Sequence, residues 1–159
     1  MRWDRFEAAC PEIAHLARER FAKDEVILIG TLRADGSPRI SPNEVDFVGA
    51  HLMVSMMWRS KKALDLLRDA RCVVHSVPLT RMNPGGDVKL YGQVIDVQDP
   101  DLRAAYRDEI RRRLDWAPDE PDYHLFSLDV TSAGYAVFGE GSHALAWDPE
   151  RGLRRLPLH

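Results

Sequence analysis

Three residues on one predicted strand and three at one predicted helix start carry the clearest chemistry in the chain. In Pro38-Arg39-Ile40-Ser41-Pro42-Asn43, the two-residue period of a strand turns Arg39, Ser41 and Asn43 to one side. That side offers a guanidinium, a hydroxyl and an amide. Further along, Met56-Met57-Trp58-Arg59-Ser60-Lys61-Lys62-Ala63-Leu64-Asp65-Leu66-Leu67 runs from a strand end into a helix. Ser60 is the expected cap, its hydroxyl accepting from first-turn N–H groups. Lys61 and Lys62 then occupy the positive pole of the helix dipole, where cations are unfavourable. Arg59 adds a third charge just upstream. An anion docked at that helix start would account for the arrangement, and phosphate suits it, because N–H groups, a hydroxyl and ammonium groups all converge on it. The plainer alternative is a helix whose lysines face water.

The two groups meet if the Arg39 strand pairs with the next strand through a turn at Gly49. Its polar face then lies beside Ser55. A guanidinium grips phosphate in a planar, multidentate way, and the lysines add charge. Met56 and Met57 supply a polarizable apolar wall against which an aromatic ring could lie. A phosphate seat beside an apolar slot is what a nucleotide-like cofactor requires.

The elements that must position these residues can be read from periodicity. Residues 4–22 are predicted helical, with Phe6, Ala9, Ile13, Leu16 and Ala17 recurring at three- and four-residue spacing and Pro11 at a helix junction. Val26 to Leu32 is a β-branched strand, followed by an Asp35-Gly36 hairpin turn. The return strand is predicted over Pro38–Phe47, its two prolines marking an edge or bulge. A third strand covers His51–Met57. The helix Lys61–Asp69 is expected to bury Ala63, Leu64, Leu66 and Leu67. Strand four is Cys72–Val77, and Pro78–Asp87, with Pro84-Gly85-Gly86, is a loop. Strand five spans Val88–Val97 around Gly92, a predicted bulge or sharp bend. Asp99-Pro100 opens a helix with a buried stripe of Leu102, Tyr106, Ile110 and Leu114, leaving Arg111-Arg112-Arg113 to solvent. His124–Val130 and Tyr135–Phe138 read as strands, and Ala144–Leu156 as a closing hairpin. Short strands joined mainly by hairpins predict a mainly β fold, an antiparallel β-barrel with flanking helices. Residues 1–159 read as one domain, with 1–22 a helical N-terminal segment and 140–159 a C-terminal hairpin.

Composition narrows the function. The 159 residues carry 22 Lys+Arg against 25 Asp+Glu, a net charge of −3, so no basic field invites nucleic acid. Two cysteines, Cys10 and Cys72, form no disulfide framework, and a reducing cytoplasmic setting is expected. The longest apolar run, Val26–Ile29, is far too short for a bilayer, and the N-terminus lacks the apolar core of a secretory signal. Gly139-Glu140-Gly141-Ser142-His143-Ala144 has the letters of a dinucleotide fingerprint. However, Trp147-Asp148-Pro149 breaks the helix that the motif needs. The six histidines (His15, His51, His75, His124, His143 and His159) show no close i, i+4 pairing of the zinc-enzyme kind, and no metal is expected. No general acid or base stands out, so the catalytic residues stay unassigned. His75, Tyr91 and His143 are the titratable candidates.

With these motifs in hand, the chain resembles the pyridoxamine 5′-phosphate oxidase-like FMN-binding split-barrel family of flavin- and deazaflavin-dependent oxidoreductases. The likeness is carried by Ile29-Gly30-Thr31-Leu32, Asp35-Gly36-Ser37-Pro38-Arg39-Ile40-Ser41-Pro42, Leu52-Met53-Val54, Ser60 to Arg71 and Lys89-Leu90-Tyr91-Gly92-Gln93-Val94, over roughly residues 24–140. It implies a six-stranded antiparallel split barrel, a homodimer, and FMN in two grooves at the dimer interface. It also implies that Arg39, Ser60, Lys61 and Lys62 hold the cofactor phosphate and ribityl chain. Ile40, Ser41, Ser55 and Met56 would line the isoalloxazine. A small-molecule substrate and a flavin-dependent oxidoreductase activity follow from the same likeness. Two alternatives are a deazaflavin-dependent reductase and a non-catalytic flavin- or haem-binding protein. The family's Arg-Leu-His-x-Arg substrate motif is replaced here by Ser142-His143-Ala144-Leu145-Ala146-Trp147, so vitamin B6 oxidation is not expected.

Overall fold

The computed structural model describes residues 1–78, 83, 85–139 and 141–158. Pro84 of the predicted loop, Glu140 of the glycine-rich motif and His159 lie outside them. Two helices, α1 (Trp3–Ala9) and α2 (Pro11–Asp24), precede β1 (Val26–Leu32), β2 (Pro38–Glu44), β3 (Asp46–Val48) and β4 (His51–Met57). Then come α3 (Lys61–Arg68), β5 (Arg71–Ser76), β6 (Asp87–Asp96), α4 (Pro100–Leu114), β7 (Tyr123–Val137), β8 (His143–Asp148) and β9 (Gly152–Leu156). All ladders are antiparallel, in the order β2-β1-β5-β6-β7-β4-β3, with β8 on β7 and β9 on β8. The helices flank a split barrel whose sheet does not close. Among the described residues no helix is long and apolar enough to cross a membrane.

Local chemistry explains most elements. Gly36 takes a φ of +83° at the β1–β2 turn, and Asp35 accepts from the backbone N–H and hydroxyl of Ser37 at 2.9 and 2.6 Å. Asp99 caps α4 by accepting from Asp101 N–H at 3.0 Å, with Pro100 in the first turn. The register between β6 and β7 shifts at Gly92, where Tyr91 faces Ser132 and Gly92 faces Val130. Thr131 is the extra residue, and its hydroxyl donates to Tyr91 O at 3.1 Å. A Cβ on Gly92 would stand 2.1 Å from Asp129 O, so only glycine fits. The core joins inward-facing strand residues such as Ile27, Ile29, Leu90 and Phe126 to Trp3, Phe6 and Phe21 of the N-terminal helices. Phe6 packs edge-on against Trp147 of β8 at 5.0 Å.

Five expectations need correction. The return strand is not continuous to Phe47: it breaks at buried Val45, so β2 pairs only with β1, and β3 is what pairs with β4 across the Gly49 turn. Pro38 and Pro42 have no N–H to offer a second neighbour, and β2 stays an edge. The two strands predicted between 124 and 138 are one strand, β7, because the Thr131 bulge absorbs the irregularity while β6 and β8 hold Ala133 and Gly134 from both sides. On α3 the buried residues are Ala63, Asp65 and Leu66, with Leu64 and Leu67 exposed. On α4 Leu114 is exposed past the end of the small cluster that buries Tyr106 and Ile110. Arg113, expected in solvent, instead pairs with buried Asp46.

Candidate functional site

The open seam of the barrel lies between β2 and β4, and one side chain spans it. Asn43 Nδ2 donates to Ser55 O at 3.1 Å and to Glu44 O at 2.6 Å. No backbone ladder joins these strands. A groove of about 620 Å³ runs along the seam, and Ser55, Met56, Lys62, Asn43, Trp116 and Tyr123 are part of its wall. A volume in this range suits a small-molecule or cofactor site. Ser55 is half-buried, Met56 is buried with the core and Met57 stands exposed at the rim.

At one end of the seam the chain turns sharply through Arg59, whose φ of +55° sends it into α3. Ser60 opens the helix by accepting from Leu64 N–H at 3.0 Å through its carbonyl. Its hydroxyl, expected to cap the helix, makes no cap bond. Ser60 Oγ is instead buried without a hydrogen-bond partner. A buried polar atom left unpaired costs free energy, so this one favours an additional acceptor or donor at the helix start.

The two lysines diverge. Lys62 leans over the groove and donates from Nζ to Pro42 O at 2.7 Å. Burial lowers its pKa from the ordinary lysine value, with Glu44 pulling the other way. Lys61 lines a separate shallow cleft of about 400 Å³, together with Arg39, Arg33 and Arg68. Arg39 does not float free there. Its Nε donates to Asp65 Oδ2 at 2.6 Å, and the Asp65 carboxylate also accepts from Thr31 Oγ1 at 3.1 Å and Arg68 Nη2 at 3.2 Å. Burial pushes the Asp65 pKa up, but hydrogen bonds from Arg39, Arg68 and Thr31 outweigh it and hold the carboxyl below its ordinary value. One carboxylate therefore anchors two guanidinium groups and leaves the cleft net cationic.

Ser41 is half-buried on the same side of β2 as Arg39, whereas Ile40 is 72 % exposed on the opposite face. His75 and Tyr91 lie on the outer faces of β5 and β6, and His143 opens β8 with Nδ1 2.8 Å from Gly141 O. None of these three lines the groove or the cleft. The glycine-rich run ahead of Ala144 leads into a strand, β8, and not into a helix. Sequence reading passed over Asp65, Trp116 and Tyr123. Asp65 did carry a signal: a lone carboxylate between buried Ala63 and Leu66, three residues before Arg68, needs cationic partners. Trp116 and Tyr123 flank an irregular segment and carried none.

Searches by sequence find no matching family model and no matching curated protein. Solved structures do match. A pyridoxamine 5′-phosphate oxidase-related, FMN-binding protein from Nostoc punctiforme superposes with a TM-score of 0.67 at 15% identity, over 94% of this chain and 96% of that one. A protein from Clostridium acetobutylicum, related to general stress protein 26 and described as of the pyridoxinephosphate oxidase family, gives 0.66 at 14%, over 87% and 97%. A haem-binding protein from Mycobacterium smegmatis gives 0.65 at 20%, over 88% of this chain but only 59% of that chain. The chain has the split-barrel fold of the pyridoxamine 5′-phosphate oxidase-related FMN-binding proteins.

Proposed function

We propose that this protein is a flavin-dependent oxidoreductase that binds FMN along the β2–β4 seam. The observation that carries the reading is the unpaired buried hydroxyl of Ser60, one residue before Lys61, which shares a cationic cleft with the Asp65-anchored Arg39. These residues fit a phosphate monoester: a guanidinium held in place, an ammonium and a hydroxyl with unused capacity. Lys61, Arg39 and Ser60 would hold the phosphate. Lys62 and Ser41 would hold the ribityl chain, and Ser55 and Met56 would border the ring, whereas Ile40 points away from the groove on the outer face. FMN, when bound, supplies hydride transfer at its own ring. The chain's part is to fix the cofactor, keep the seam open at a suitable width and exclude water with Met56, Met57 and Trp116. Tyr123 is no ready acid: burial and its hydrogen bond to Glu120 raise its pKa to about 12.

A homodimer belongs to the same reading. Ile40, Val73 and Tyr91 form a cross-strand row over Gly30 on the outer sheet face. Ile40 and Tyr91 are exposed, which suits a second copy of the chain. Sedimentation of Ile40→Asp/Tyr91→Asp against the unaltered protein tests it, and two equal sedimentation coefficients would count against the dimer.

The cofactor test compares FMN with riboflavin, which lacks the phosphate. The native protein should prefer FMN, and Lys61→Ala should erase most of that preference, a loss of about 1.5–3 kcal/mol for a charge-assisted contact. Equal FMN affinity in the two proteins would overturn the phosphate assignment. The fold shared with a haem-binding protein favours haem as the second reading. A Soret band that grows on haem addition, with no flavin uptake, would select it. Tight binding of a deazaflavin in place of FMN would select the deazaflavin reductase.

A further inference from the structure

A second pocket, of about 590 Å³, lies across the 119–123 segment from the seam groove, with Tyr123 shared between the two. Trp58, Leu67, Arg103, Arg107, Glu120 and His124 are part of its wall. Trp58 lies flat on His124, with ring centroids 4.5 Å apart and planes 9° apart. His124 is held in turn by Arg59, whose backbone N–H donates to Nε2 at 3.2 Å, and by Phe126 stacked behind it at 6.1 Å. The Trp58 indole is thereby pinned as a plate, yet it remains 53 % exposed. A fixed, half-exposed aromatic face is built to receive another ring.

The charges of this pocket are unequally committed. Arg103 is fully engaged: Nε and Nη2 donate to the Glu120 carboxylate at 2.9 and 2.8 Å, and Nη1 donates to Val97 O at 2.9 Å. Its guanidinium also lies 4.4 Å over the Tyr123 ring. Asp96 accepts from Gln98 at 2.7 Å. Arg107, one turn along α4, differs. Its Nε is buried with no hydrogen-bond partner. Its ion pair among the described residues is a long 3.9 Å contact to Asp119, which is 91 % exposed. Arg107, with one N–H unused and only a long ion pair among the described residues, therefore lines the same pocket as the aromatic plate.

We infer that this pocket binds a small planar aromatic carboxylate, its ring on Trp58 and its carboxylate on Arg107. Arg107, paired at a long 3.9 Å with exposed Asp119, supplies the positive charge that a monoanion needs, and the planar fork of arginine matches a carboxylate. The carboxylates of Glu120 and Asp96 at the wall disfavour a dianionic phosphate. The site does not depend on FMN, because none of its cations belongs to the cleft holding Lys61 and Arg39.

The test is calorimetric titration of the intact protein with 1-naphthoate and with its neutral analogue 1-naphthamide. Naphthoate should bind at least about tenfold more tightly, the scale of one charge-assisted contact. Arg107→Gln should bring the two ligands to equal affinity, while Arg107→Lys keeps part of the preference. Trp58→Ala should weaken both ligands alike. Lys61→Ala should leave naphthoate affinity unchanged. No binding of naphthoate at millimolar concentration, equal binding of the amide by the native protein, or loss of naphthoate binding in Lys61→Ala would each overturn the assignment.

Discussion

Replacing Asp65 with Asn should be among the most damaging single changes near the candidate phosphate seat. The Asp65 side chain is 6 % exposed, and the Arg39 side chain facing it is 21 % exposed. The substitution weakens three interactions at once. The charge-assisted bond from Arg39 Nε at 2.6 Å contributes about 2 kcal/mol. The bond from the Thr31 hydroxyl at 3.1 Å, which an asparagine oxygen would keep in part, contributes about 1 kcal/mol. Arg68 is 42 % exposed, so its contribution is screened and adds only a few tenths, about 0.3 kcal/mol. The total is about 3 kcal/mol, or roughly 6–12 °C in Tm for a chain of this size. Asparagine would also turn an amide N–H₂ toward a guanidinium, leaving donors face to face. The pH dependence checks the cause. The folded pKa of Asp65 lies below its ordinary value, so its contribution is complete above about pH 4 and is lost as pH falls through the folded value. Urea denaturation of both proteins from pH 7 to pH 3 should show the gap at neutral pH and its narrowing in acid. A gap under about 0.5 kcal/mol at pH 7, or one that stays constant into acid, would refute the anchoring role of Asp65.

Three further outcomes are expected. Gly92→Ala should destabilise by about 3 kcal/mol or more, because its Cβ would meet Asp129 O at 2.1 Å; an unchanged denaturation midpoint would count against the bulge geometry. Asn43→Ala should cost about 1–2 kcal/mol and raise hydrogen exchange along β2 and the end of β4, with exchange unaltered elsewhere. Both cysteines are buried, and burial pushes the Cys72 thiol up to about 12. Neither should react with a disulfide reagent at pH 8 in the native protein, and both should react once it is unfolded. Rapid native labelling would show that the sheet around Cys72 opens readily.

Much of the positioning frame was legible in the sequence because it follows from local rules. The Asp35-Gly36 turn, the Asp99-Pro100 cap and the Gly92 bend each depend on one or two residues whose backbone preferences dominate. The break at Val45 and the continuity of β7 were not legible, because ladder partners distant in sequence decide them. The same divide runs through the candidate site. Arg39 and Ser41 were visible as one face of a strand, and Ser60, Lys61 and Lys62 as an anomalous helix start. That Lys61 and Lys62 line different clefts depends on how α3 is rotated. The buried Asp65–Arg39 pair is consistent with that rotation. Trp58 read as one more residue in a strand end until His124, sixty-six positions later, appeared beneath its ring.

The Asn43 bridge also gives the barrel a mechanical property. A backbone ladder fixes neighbouring strands about 4.8 Å apart, and changing that spacing means breaking a row of hydrogen bonds. Across the β2–β4 seam rotatable side chains set the separation instead: the Asn43 amide on Ser55 O and the Lys62 ammonium on Pro42 O. The rest of the barrel is stiff, and compliance is concentrated along this line. The seam can widen or narrow by rotating Asn43 and Lys62 while every ladder stays intact, so a guest of different thickness is seated at the cost of side-chain bonds and not of a ladder.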